Sequence, residues 1–150
     1  MKKFLLVIAL IVTTFCLTAC DCSGGRNKPT TFECTYWLQT RGISGLDMLK
    51  NDDGSDVFDY YKLLFYKDGT FELVFKIKDS EEEVYSGNYT DKDGVRSLYY
   101  ENKTDEFQDL YGASLYNISE DGTVLTRKQY QVHPESFVQT IVSQTFEIKK

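Results

Sequence analysis

The clearest pattern along the chain is an alternation of apolar and polar residues with a period of two. Tyr61, Leu63 and Phe65 are apolar at odd positions, and after Asp68-Gly69 the alternation continues over Phe71–Ile77. An Asp-Gly pair between two such runs is typical of a tight hairpin turn, because both residues tolerate the positive φ that the turn requires. The pattern predicts a β-hairpin with one buried face.

The same arrangement occurs twice more, around Asp93-Gly94 and Asp121-Gly122. With one strand before the first hairpin and one after the last, eight strands are predicted. They are Phe32–Thr40, Tyr61–Phe65, Phe71–Ile77, Glu82–Thr90, Val95–Glu101, Tyr111–Ile118, Thr123–Gln131 and Phe137–Ile148.

Eight antiparallel strands in meander order predict an all-β fold, an up-and-down antiparallel β-barrel of about eight strands. Such a barrel is filled by side chains or holds one small ligand. A β-sandwich is the alternative, because the number of strands does not exclude a Greek-key order. Residues 41–57 are expected to form the one long connection, in which a helical turn could lie at Leu46–Lys50.

The N-terminus has the pattern of an export signal. Lys2 and Lys3 precede an apolar run, Phe4–Leu17, which is shorter than the ~20 residues that a membrane-spanning helix needs. The run ends in Leu17-Thr18-Ala19-Cys20, which resembles the lipobox of bacterial lipoprotein precursors. The resemblance implies that the thiol of Cys20 is acylated with diacylglycerol and that the chain is cut just before it. The expected location is therefore the extracytoplasmic face of the cell membrane, with the lipid as the membrane anchor.

Removal of the signal peptide, residues 1–19, leaves a chain of the size of one domain. Residues 20–30 contain Gly24-Gly25 and Pro29 and almost no apolar side chain, which is typical of a flexible tether. The barrel domain is expected over residues 31–150. The full chain has a net charge of −6, and the mature part is more acidic because it lacks Lys2 and Lys3. This composition argues against nucleic acid as a partner.

Few residues suggest chemistry. The single histidine, His133, lies in the connection before the last predicted strand, so no serine or cysteine triad can be built elsewhere. The acidic stretches 51–56 and 91–94 lack the spacing of a calcium-binding EF-hand, and a turn structure is favoured over a calcium site. The sequence predicts a protein that is not an enzyme and that has no metal or cofactor.

Two cysteines remain once Cys16 has left with the signal peptide and Cys20 carries lipid. Cys22 and Cys34 are in a compartment where a disulfide is permitted. The sequence leaves open whether they pair or stay as two free thiols.

The domain resembles the lipocalin-like lipoproteins that are widespread in bacteria and mostly uncharacterised. The segments that carry the resemblance are Tyr36-Trp37-Leu38, Phe65–Phe71, Ser86–Tyr89 and Ser119–Leu125. The resemblance covers roughly residues 31–148 and implies a small β-barrel.

Aromatic residues make up 15% of the chain, with eleven tyrosines. The aromatic residues at the alternate strand positions that face inward form either the barrel core or the lining of a pocket for a small hydrophobic ligand. We therefore expect a non-enzymatic binding protein for such a ligand. The candidate ligand-lining residues are Trp37, Tyr61, Leu63, Phe65, Phe71, Leu73, Phe75, Tyr85 and Tyr89.

The alternative is a protein-interaction module, such as an inhibitor of a cell-wall-degrading enzyme. The stretch Ser86-Gly87-Asn88-Tyr89 resembles the Ser-Gly-x-x-Tyr loop of the C-type lysozyme inhibitor family, although it is one residue shorter. The resemblance implies that the partner in this case is another protein.

Overall fold

The computed structural model describes residues 28–101, 115–132 and 139–149. None of these residues belongs to a helix long and apolar enough to cross a membrane. The strands are β1 (Thr30–Arg41), β2 (Ser44–Asp47), β3 (Phe58–Phe65), β4 (Thr70–Ile77), β5 (Glu82–Lys92), β6 (Val95–Tyr100), β7 (Leu115–Ile118), β8 (Val124–Val132) and β9 (Gln139–Ile148).

Eight of these strands form a closed antiparallel barrel. Strands β3 to β9 pair in sequence order, and β1 joins the two ends of the sheet by pairing with both β3 and β9. The pairing of β1 with β9 extends from Phe32 to Arg41. The predicted all-β, up-and-down β-barrel is thus confirmed, and the alternative β-sandwich is wrong because one sheet closes on itself.

Strand β2 is an addition that the sequence did not predict. Residues 41–57 were expected to form one long connection with a helical turn at Leu46–Lys50, whereas Ser44–Asp47 pairs with the last four residues of β1. Strand β3 pairs only with Thr30–Glu33, so the second half of that edge of β1 needs another partner. All four residues of β2 are exposed, so burial of side chains does not explain why this strand forms. It forms because its backbone supplies hydrogen-bond partners to the free edge of β1.

The three predicted Asp-Gly turns are present. Gly69, Gly94 and Gly122 have φ values of 85°, 77° and 71°. In the last turn, the Asp121 carboxylate accepts hydrogen bonds from the Ser119 hydroxyl at 2.6 Å and from the Thr123 amide at 3.1 Å. These hydrogen bonds lower the pKa of Asp121 to about 2. All three turns lie at one end of the barrel, which we call the turn end; the opposite end is the far end.

Arg96 packs against two aromatic rings at the turn end. The Arg96 guanidinium lies 4.1 Å from the centre of the Phe65 ring and 4.8 Å from that of Tyr89. Its Nε and Nη2 atoms donate to the two carboxylate oxygen atoms of Asp91, at 2.8 and 2.7 Å. The bidentate ion pair holds the guanidinium over the rings, where cation–π attraction adds to the packing.

Strand β5 approaches β6 closely at Gly87, which pairs with Tyr100. A Cβ atom at this position would lie 2.0 Å from the carbonyl oxygen of Tyr99. Only glycine allows this approach of two backbones, because the obstacle is main chain rather than a movable side chain.

Candidate functional site in the barrel interior

The predicted ligand-lining residues all come from the inner face of the barrel. Seven of them are at most 4% exposed, namely Trp37, Tyr61, Leu63, Phe65, Phe71, Leu73 and Phe75. Tyr85 and Tyr89 are half-buried and pack against the same core. The structure thus brings the nine residues together, while their contact with a ligand stays a prediction.

Much of this aromatic surface is packed against itself. The rings of Phe65 and Tyr89 are 4.9 Å apart, centre to centre, at the turn end. Nearer the far end, Tyr61 stacks on Phe75 at 5.2 Å, and Phe75 stacks on Tyr85 at 6.1 Å. We call Tyr61, Phe75 and Tyr85 the aromatic wall. It presents apolar ring faces on β3, β4 and β5.

The opposite side of the interior is polar. Several inward positions of β1, β8 and β9 carry polar side chains, whereas the other strands carry mainly apolar and aromatic ones. We call these residues the polar wall, and sequence reasoning missed them. Its members are Gln39, Arg127, Gln129, Thr140 and Gln144.

Arg127 places a positive charge inside the barrel, since its side chain is only 8% exposed. Its guanidinium donates to the Gln129 side-chain oxygen. It also lies beside the hydroxyl of Tyr116: burial raises the pKa of Tyr116, and the charge and hydrogen bond of Arg127 oppose that rise. Both partners are neutral. Within residues 28–101, 115–132 and 139–149, no carboxylate forms an ion pair with Arg127.

Gln144 lies beside Arg127 in the same wall and is 1% exposed. Neither its Nε2 nor its Oε1 atom has a hydrogen-bond partner in the described structure. Its Cα is in register with Arg127 on one side and with Trp37 on the other. These three inward side chains therefore form one row across β1, β9 and β8, halfway along the barrel.

Exposure differs among the members of the polar wall. Gln144 and Arg127 are buried, and Gln39 and Gln129 in the next row towards the far end are half-buried. Thr140, which pairs with Arg41 at the far end, is again buried, at 3% exposed.

A separate groove opens where β1 and β3 diverge. It has a volume of about 290 Å³ and is lined partly by Cys34, Leu49, Phe58 and Tyr61. Of the predicted lining residues, only Tyr61 borders it. Its volume lies at the lower limit of ligand pockets, which range from about 300 to 1,000 Å³.

The Cys34 thiol borders this groove, and its burial disfavours the thiolate form. Burial raises its pKa to about 12, and the thiolate, which is the nucleophilic form, is therefore scarce. Cys34 is a free cysteine in the described structure. Its suggested partner, Cys22, lies outside the described residues, as do Cys20 and His133, so the disulfide and the lipid anchor stay predictions.

The acidic loop at residues 51–56 has the hydrogen bonds of a turn. The Asp53 carboxylate accepts from the Ser55 amide at 2.9 Å and from the Ser55 hydroxyl at 2.6 Å. No group of three or more metal-ligating side chains is found among the residues that the structure describes. The Asp53 carboxylate is thus used within the turn.

The stretch Ser86–Tyr89 lies inside strand β5, where it pairs with β4 and β6. It therefore does not form a loop at the rim of the barrel. In comparisons with known proteins, the chain matches no protein-family model, no curated protein and no solved structure.

Proposed function

We propose that the domain is a non-enzymatic binding module that holds a small, largely hydrophobic molecule between the aromatic wall and the polar wall. The observation that carries this proposal is the unpartnered amide of Gln144, buried beside Arg127. Native proteins satisfy nearly all buried polar groups, so an exception needs an explanation. A polar group on a bound molecule would supply the missing partner.

A purely structural role explains the polar wall poorly. An apolar residue at position 144 would fill the same interior without leaving donors and acceptors unpaired. Binding sites commonly keep groups that lower the stability of the free protein, because those groups act only when the ligand is present. The aromatic wall provides the apolar half of such a site through the faces of Tyr61 and Phe75.

The proposal includes a location. The lipobox-like Cys20 and the tether over residues 20–30 would attach the barrel to the extracytoplasmic face of the cell membrane, as in the lipocalin-like lipoproteins. Intact-mass measurement of the protein from its host tests this part. A mature chain that begins at Cys20 and carries the added mass of acyl chains supports it, and an unmodified Cys20 contradicts it.

Native mass spectrometry of the protein purified gently from its own host tests the binding function. We expect a non-covalent adduct of small mass under native conditions that disappears under denaturing conditions. The covalent lipid stays in both spectra and serves as the internal reference. The protein should be kept concentrated during purification, so that a bound molecule is not lost. Identical masses under native and denaturing conditions would then contradict the binding of a small molecule.

A second candidate, a protein-interaction module, is favoured by a different observation. Tyr36, Tyr130 and Val132 are 47%, 55% and 59% exposed on β1 and β8, the strands that flank β9. Exposed aromatic and aliphatic side chains of this kind are common in protein interfaces. If the partner is a cell-wall-degrading enzyme, titration of lysozyme with the protein should reduce its activity, and Tyr130→Lys should weaken that effect. Unchanged lysozyme activity would contradict this role.

A further inference from the structure

The charge of Arg127 restricts the chemistry of a molecule that could bind beside it. A guanidinium does not lose its proton in a protein, so this buried side chain stays cationic. Its partners, Gln129 and Tyr116, contribute neutral oxygen atoms. Among the residues that the structure describes, no carboxylate pairs with Arg127. A buried cation without an anion is unfavourable, and such groups are almost always paired. The described part of the barrel therefore offers an anion site rather than a neutral polar site.

Gln144 adds a second donor at the same place. In an antiparallel pair, residues in register have Cβ atoms about 4.5–5.5 Å apart, so the side chains of Gln144 and Arg127 are neighbours. The unpartnered Nε2 group of Gln144 can donate to an oxygen atom that lies between it and the guanidinium. Two N–H donors from neighbouring residues on adjacent strands suit the two oxygen atoms of a carboxylate.

The third member of the row provides an apolar surface. Trp37 is in register with Gln144 on its other side, and its ring lies 5.1 Å from that of Tyr61, centre to centre. A molecule whose charged group binds Arg127 would have its apolar part against these rings. The burial of this row halfway along the barrel limits the molecule to a small one.

We propose that the molecule bound in the barrel is a small carboxylic acid, with its carboxylate between Arg127 and Gln144 and its apolar part against Trp37. This inference rests on the proposed function and makes it more specific. The acid binds as the carboxylate, which neutralises Arg127 without any covalent step.

Trp37 is the only tryptophan of the chain and reports directly on this site. Its fluorescence can be titrated at neutral pH with octanoate and, separately, with octanol, which has the same chain length but no charge. The mature chain with Cys20→Ser contains every strand of the closed barrel and avoids detergent. We expect octanoate to bind about tenfold more tightly than octanol or better, because hydrogen bonds to charged groups are the stronger ones.

Arg127→Gln should remove the preference for octanoate over octanol. Lys128→Gln is the matched control, since it removes the same charge from the next residue, whose side chain is exposed. This control should keep the preference. Circular dichroism of each variant shows whether the barrel still folds. If a variant does not fold, the comparison of octanoate with octanol on the unchanged protein still tests the site.

The outcomes separate the inference from the function on which it rests. Equal affinities for octanoate and octanol on the unchanged protein would overturn the carboxylate site and leave a binding barrel. If Lys128→Gln loses the octanoate preference as Arg127→Gln does, the preference comes from the overall charge of the protein. That result would overturn the carboxylate site. If neither compound changes the fluorescence, the inference fails, and native mass spectrometry decides separately whether the barrel holds another molecule.

Discussion

Replacement of Gln144 by methionine should stabilise the protein in the absence of ligand. The two side chains are similar in length, but methionine has no hydrogen-bonding group that needs a partner at this 1% exposed position. Both polar atoms of Gln144 are unpartnered in the described structure. A buried unsatisfied group costs about 1–3 kcal/mol, so we expect the free energy of unfolding to rise by about 2 kcal/mol.

The assay is urea unfolding followed by the fluorescence of Trp37, together with thermal melting. For a domain of this size, a gain of 1 kcal/mol raises the melting temperature by roughly 4 °C, which is readily measured. Gln139→Met is the matched control, because Gln139 lies on the same strand and is exposed. Its effect should stay within about 0.5 kcal/mol.

The opposite result would refute the reasoning. If Gln144→Met lowers the free energy of unfolding, then Gln144 has good hydrogen-bond partners in the free barrel, such as ordered water. The amide would then need no ligand, and the observation that carries the proposed function would be explained without one. A gain in stability together with loss of octanoate binding supports the account on both points.

Three further predictions concern the barrel itself. Gly87→Ala should lower the free energy of unfolding by about 3 kcal/mol, because the added Cβ would clash with the Tyr99 backbone. Gly45→Ala is the control, since the nearest atom to its Cβ is 3.5 Å away. Equal effects of the two substitutions in urea unfolding would contradict this prediction. Leu63→Ala should cost about 2–5 kcal/mol in the same assay, since Leu63 is fully buried, and a cost below 1 kcal/mol would indicate a loosely packed core. The stabilisation from Asp121, whose folded pKa of about 2 lies below the unfolded value of about 3.9, should be complete above pH 5 and lost as the pH falls through 2. Urea midpoints of the unchanged protein and Asp121→Asn should therefore converge on acidification, and a constant difference would contradict the assignment.

The hairpins were predictable because they depend on local patterns. An alternation of period two with an Asp-Gly pair determines both the buried face and the turn, as the pairing of β3 with β4 shows. Strand β2 was not predictable in this way. Its residues are all exposed, so no alternation marks them, and it forms because β1 is longer than its pairing with β3.

The aromatic wall was accessible from the sequence, and part of the polar wall was too. In the alternation of period two, Gln144 is on the same face of its strand as Val142 and Phe146, and Arg127 is on the same face as Leu125. A long polar residue among inward-facing apolar positions was therefore a visible signal in the sequence. The absence of an acidic partner for Arg127 in the described structure could not be read from the sequence, because it depends on strands that are distant along the chain.

The most direct test of the central claim is a crystal structure of the protein purified from its host without added ligand. The account predicts electron density for a small molecule inside the barrel, with a carboxylate in hydrogen-bonding contact with both Arg127 and Gln144. Density for water alone beside these side chains, with the aromatic wall closed against the polar wall, would contradict it.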